Sequence, residues 1–171
     1  MDAQLTSLIV SEEELKNIDE CLERMQTELN ATSILVLDQA GQVIASRSMR
    51  SKTQWTTVGA LLSGTFYGSR ELARALQESE FKTLYQQGPR ESVYAELIGE
   101  KWILATIFRK QTLLGMVRVM SRRIVGDLEQ VLERVKKSNQ VNGKWFNNGN
   151  LNDFETTFES LFKEEPFKPL G

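Results

Sequence analysis

The sequence contains no histidine. That removes the side chain that most often serves as a general base and most often ligates a metal near neutral pH. Cysteine occurs once, at Cys21. A single thiol forms no internal disulfide, which fits a reducing compartment, and without His a zinc site lacks its usual donors. A Ser-His-Asp or Cys-His triad is impossible within the chain. Carboxylate and lysine chemistry stay open, so an enzyme is disfavoured rather than ruled out. Proline occurs three times, and no apolar run approaches the roughly 18 residues of a membrane span. The N-terminus lacks a signal-peptide pattern. Neither sign of charge dominates: 21 Lys and Arg stand against 23 Asp and Glu, a net charge of −2. Bulk electrostatics therefore give no pull toward nucleic acid or an anionic membrane. The expectation is a cytoplasmic protein with no cofactor, no metal, no nucleic acid and no direct membrane insertion.

What is present is a globular composition of 171 residues, 40% hydrophobic and 26% charged, enough for one domain with extra length. "SEEELKNIDECLERMQTELN" opens with Ser11 and Glu14 at capping-box spacing. Leu15, Ile18, Leu22, Met25 and Leu29 then recur every three or four residues, which predicts an amphipathic helix. "ILVLDQAGQVIAS" reads as two strands around an Asp-x-x-Gly turn. Asp38 is a turn-former there before it is a candidate acid, with Gly41 supplying a positive φ. A second helix follows, ending near Ser79. "FKTLYQQGPRE" reads as a connection. "SVYAELI", "KWILATIF" and "LLGMVRVM" read as three further strands. Trp102 to Phe108 is apolar at almost every position, as in a strand buried on both faces. "SRRIVGDLEQVLERVKK" predicts a third helix. The fold class is then α+β: a five-stranded antiparallel sheet sandwiched by helices, in the order αββαβββα.

Four regions follow. Residues 1–10 are an extension and 11–138 the domain. The Asn-rich stretch 139–150 reads as a flexible linker, and 151–171 as an amphipathic helix and tail. Phe154, Phe158, Leu161 and Phe162 share one face of that helix with Leu151. A helix this short is marginal alone in water, so it needs a surface, its own domain's or a partner's.

The second helix, "TTVGALLSGTFYGSRELARAL", holds Gly59, Gly64 and Gly68. Three interior glycines cost about 3 kcal/mol against alanine. Gly59 and Gly64 have the glycine spacing of a phosphate loop, but Thr65 and Phe66 stand where Lys-Ser is needed. On a helical wheel, Val58, Leu61, Leu62, Thr65, Leu72, Ala73 and Leu76 gather on the side expected to face the sheet. Ala60, Gly64, Tyr67, Gly68, Glu71 and Ala75 gather on another, with Ser63 at its edge. The second face is small enough for close approach by another helix or a flat partner. Gly59 reads instead as close packing within the domain. The basic clusters at 121–123 and 135–137 read as surface charge.

Three motifs in this order resemble the roadblock family: the Asp-x-x-Gly hairpin, the small-residue helix with its exit "ESEFKTLYQQG", and "LLGMVRVMSRR". The resemblance covers about Ser11 to Lys137. Within the family it is to the bacterial MglB type, to which "DFETTFESLF" is also similar. It implies a homodimer joined edge to edge through the third strand, with second helices side by side. It also implies that these helices form a platform for a Ras-like small GTPase of the MglA type, whose hydrolysis the dimer stimulates without an inserted arginine. Carried over, the platform is Ala60, Ser63, Gly64, Tyr67, Gly68 and Glu71, with Arg70 and Arg74 at the rim. "SVYAELI" becomes the dimer edge, with Tyr94 and Glu96 near it. The C-terminal helix adds a second contact affecting nucleotide exchange, and a cell pole is the implied location. Two other readings stand beside this one: a non-catalytic scaffold, and a small-molecule sensor, which would need an internal pocket.

Overall fold

The computed structural model describes residues 8–50 and 54–147. Phe154, Phe158, Leu161 and Phe162 lie outside the described residues, as does most of 1–10. Residues Val10–Val135 form one compact unit, and Met1–Ile9 with Lys136–Gly171 a second. Within the second, the Asn139 side chain accepts from the Ile9 N–H at 3.0 Å and donates to the Ile9 carbonyl at 2.9 Å.

The elements are α1 (Glu12–Leu29), β1 (Ser33–Asp38), β2 (Val43–Ser48), α2 (Trp55–Ala75), β3 (Thr83–Gln87), β4 (Glu91–Ile98), β5 (Trp102–Arg109) and α3 (Leu114–Asn147). All strand pairs are antiparallel, and the sheet order is β2-β1-β5-β4-β3. The element order and the five strands are those expected, but one strand comes from different residues. "LLGMVRVM" is the start of α3, not a strand. Val117 and Met120 are buried there and lead on to Ile124 and Leu128, while Leu113, Met116 and Val119 face solvent. That is the three-to-four spacing of a helix. The missing strand is β3, inside the segment read as a connection. It lies at the edge, bonded only to β4, and most of its residues are exposed. A strand with little to bury carries little hydrophobic pattern. The helical backbone of α3 also runs through Asn147, where a spacer was expected from residue 139.

α1 starts as its capping box suggests: the Ser11 hydroxyl accepts from the Glu14 N–H at 3.3 Å, an interaction typically worth about 1 kcal/mol. The Glu14 carboxylate does not return to Ser11. It takes two bonds from Arg134 of α3, at 2.7 and 3.0 Å. Arg24 to Asp127 ties the same two helices, and the Thr112 hydroxyl donates to the Leu29 carbonyl. α1 and α3 therefore share one face of the sheet. α2 covers the other, where Leu62 and Phe66 pack on Leu35, Leu37, Ala95, Leu97, Ile103 and Ala105. Burying each of these two side chains is worth roughly 1.5–3 kcal/mol. β5, buried at every residue from Trp102 to Thr106, is the strand covered on both faces.

Candidate functional site

The buried stripe of α2 is Gly59, Leu62, Ser63, Phe66 and Ala73. This corrects the wheel at several positions. Leu61, Leu72 and Leu76, assigned to the sheet side, are 67%, 54% and 61% exposed. Phe66 takes the central place beneath the helix. Ser63, assigned to the platform, is buried, and its hydroxyl donates to the Gln39 carbonyl in the β1–β2 turn. Hydrophobicity alone misplaced the stripe because three leucines lie on the face that is wet in this chain.

Of the other expected platform residues, Ala60, Gly64, Tyr67, Gly68 and Glu71 are exposed. A Cβ added to Gly64 or Gly68 would meet nothing within 4 Å. Gly59 differs, as expected: its place is fixed by contact with the Gly41 backbone. The outer face of α2 is thus a shallow saddle, with two glycines between Leu61 and Leu72. Tyr67 stands at its side, 46% exposed, with the Arg70 guanidinium 5.9 Å from its ring centroid. Arg70 is also paired with Glu80 at 3.5 Å, and Arg74 with Glu71 at 2.5 Å. Both guanidiniums at the rim already have carboxylate partners.

The expected dimer edge is corrected as well. Tyr94 and Glu96 lie on β4, which has β5 on one side and β3 on the other, so "SVYAELI" is not an edge. Tyr94 is buried, and its hydroxyl donates to Glu96 at 3.2 Å. Burial, and then the Glu96 charge, push the Tyr94 hydroxyl up to about 12. Burial likewise raises Glu96 above the ordinary carboxylate value. The two edge strands are β2 and β3, and on β3 Tyr85 is 36% exposed.

The Asp38 carboxylate accepts from the Gln42 N–H at 2.8 Å, and the Asp38 backbone closes the same turn with Gln42 and Gly41. It is a turn-former. The crevice between α2 and the sheet, lined by Gln39, Phe66, Tyr67, Arg70, Leu97 and Ile103, has a volume of about 10 Å³. That is at most one water, which leaves a sensor no internal chamber there. Among the described residues no helix is long and apolar enough to cross a membrane.

The fold has clear relatives. The Roadblock/LC7 domain model matches residues 17–108. Myxococcus xanthus MglB is 27% identical with a TM-score of 0.70, over 75% of this chain and 96% of that one. The gliding protein MglB of Thermus thermophilus is 26% identical with a TM-score of 0.71, over 75% and 97%. An MglB with a tetrameric arrangement is 25% identical with a TM-score of 0.72, again over 75% and 97%. With more than half of its length matched by the family model, the chain belongs to the Roadblock/LC7 family, and its likeness within that family is to the MglB proteins.

Proposed function

We propose that this chain is a homodimeric regulator of a Ras-like small GTPase of the MglA type, and that it stimulates GTP hydrolysis. One observation carries the reading: the outer face of α2 pairs exposed leucines with two glycines at which an added Cβ would meet nothing, in a fold whose sheet leaves β3 as an edge strand. Exposed apolar side chains and interior glycines both cost a lone domain stability. A second helix and a flat protein surface would offset both. The β3 edges of two copies would pair, bringing two α2 helices together as one platform.

The chain would act by favouring one arrangement of the GTPase switch segments. Such a partner shifts the equilibrium by its differential affinity for the two states. It needs no catalytic group of its own, which suits a chain without histidine. The engagement of Arg70 and Arg74 with carboxylates favours this over an inserted arginine. The segment 151–171 would supply a second contact that affects nucleotide exchange.

The test is multiple-turnover GTP hydrolysis by the cognate GTPase, with and without the full-length chain. A rate above the intrinsic one is the expected result. Binding without stimulation would leave an adaptor, and absence of binding would overturn the assignment.

A further inference from the structure

At the end of the sheet where α3 begins, three separate segments meet around an open cup of about 660 Å³. Arg50 comes from the end of β2, Arg90 from the β3–β4 turn, and Arg109 and Lys110 from the end of β5. Among the described residues, the single carboxylate in the lining is Glu91, which pairs with Arg50 and sits opposite Arg109 in the strand register. Four cationic side chains thus face one anion, in a chain whose net charge is −2. Elsewhere on the described surface some cations, Arg118, Arg122 and Arg123 of α3 among them, also lack an ion pair, but these lie along one helix and line no cup with a second segment. Arg24, Arg47, Arg70, Arg74 and Arg134 each have a carboxylate partner. Among the described residues, Arg90, Arg109 and Lys110 take part in no ion pair.

The backbone around the cup is held in place. The Gly88 N–H donates to the Glu91 carbonyl at 2.9 Å and the Thr112 N–H to the Arg109 carbonyl at 3.0 Å. The Arg50 N–H donates to the Ser48 hydroxyl at 2.9 Å. Gly88 is required here, because a Cβ would lie 2.5 Å from the Glu91 carbonyl. The cations are therefore gathered by fixed turns, not by a loose loop. Like charges held together without partners repel, and an anion of matching shape relieves that repulsion.

We infer that this cup binds a group carrying two or more neighbouring phosphates, either free or at the head of a lipid. Guanidinium forks match phosphate oxygens in pairs. The volume lies within the range of small-molecule sites, about 300–1,000 Å³. Among the described residues the lining has no aromatic ring to stack a base, so recognition rests on the phosphates. None of these residues belongs to the α2 face, and the site stands or falls independently of the GTPase assignment.

Titration calorimetry of the full-length chain with tripolyphosphate at low salt tests this. The expected dissociation constant is on the order of tens of micromolar. The double variant Arg109→Gln, Lys110→Gln should bind about tenfold or more weakly, because two of the four cations are gone. Glu91→Gln should bind tighter, since it removes the competing carboxylate and frees Arg50. It also keeps the test sharp should the double variant misfold. Co-sedimentation with vesicles containing a bisphosphorylated inositol lipid, against phosphatidylcholine alone, separates the sources. Sedimentation assigns the head of a lipid, and tripolyphosphate binding without sedimentation assigns a free ligand. No binding below millimolar, equal binding by the folded double variant, or equal competition by a polyglutamate peptide would overturn the inference.

Discussion

Gly41 and Gly59 are in direct backbone contact, the β1–β2 turn resting on the first turns of α2. A Cβ on Gly59 would drive into the Gly41 carbonyl oxygen. A Cβ on Gly41 would lie 2.8 Å from the Ala60 Cα, at a φ of +82° that L side chains rarely adopt. Each glycine is therefore needed by the other, and together they set the height of α2 above the sheet. Gly59→Ala should lower stability well beyond the usual helix propensity effect, since only backbone can move aside. Gly64→Ala and Gly68→Ala should each raise the stability of the isolated chain by up to about 1 kcal/mol, because the added methyl meets nothing. Urea unfolding of the three variants, under conditions where the wild type is monomeric, checks the opposite signs.

The same two positions should behave differently toward a partner. Gly64→Arg is expected to keep a native circular dichroism spectrum while losing GTPase binding in a pull-down. Normal binding by that variant would remove α2 from the proposed interface.

Arg70→Ala and Arg74→Ala should retain GTPase stimulation to within about tenfold. An inserted arginine finger is worth roughly 10³ to 10⁵ in rate, so a loss of that size in single-turnover hydrolysis would replace the proposed mechanism with a finger.

Two hydroxyls between the sheet and α3, Thr106 Oγ1 and Ser121 Oγ, are buried and make no hydrogen bond among the described residues. An unsatisfied buried hydroxyl costs about 1–3 kcal/mol. Thr106→Val, which keeps the shape and removes the hydroxyl, should therefore raise the melting temperature by a few degrees in a thermal scan. A lower melting temperature would mean that an internal water satisfies the group.

Acid should loosen α1 first. Bonding to Arg134 holds the Glu14 carboxyl below its ordinary 4.5, and bonding to Arg47 holds Asp19 below its ordinary 3.8. A lowered folded-state value adds stability above the unfolded value, lost as pH falls through the folded one. Glu14→Gln and Asp19→Asn should each cost about 0.5 kcal/mol at pH 7, the scale of a partly exposed pair. Both costs should vanish near pH 2. Glu96 has the opposite sign. Its raised value means that stability is lost as pH rises above 4.5, so Glu96→Gln should gain stability at pH 7 and not at pH 3. Urea midpoints across this pH range read all three.

Local sequence settles the helices with strong periodic patterns, the Asp38–Gly41 turn and the doubly buried β5. Each rests on local chemistry: a cap, a positive φ, or a continuous apolar run. It also separates Gly64 and Gly68, placed on a second face open to a partner, from Gly59, read as packing within the domain. β3 is illegible because an edge strand buries too little to leave a pattern. The start of α3 reads wrongly as a strand because eight residues rich in Leu, Val and Met satisfy a strand as well as a helix until Val117 and Met120 are seen to be buried. Which leucines of α2 face water follows only from packing on the sheet, since the wheel ranks residues by hydrophobicity and the sheet selects them by shape. The same holds for the basic cup. Arg50, Arg90 and Arg109 are far apart in sequence, and only the antiparallel register brings the ends of β2, β4 and β5 to one side. Charge clusters that neighbouring residues form can be read along the chain, but one formed by sheet topology exists only after folding.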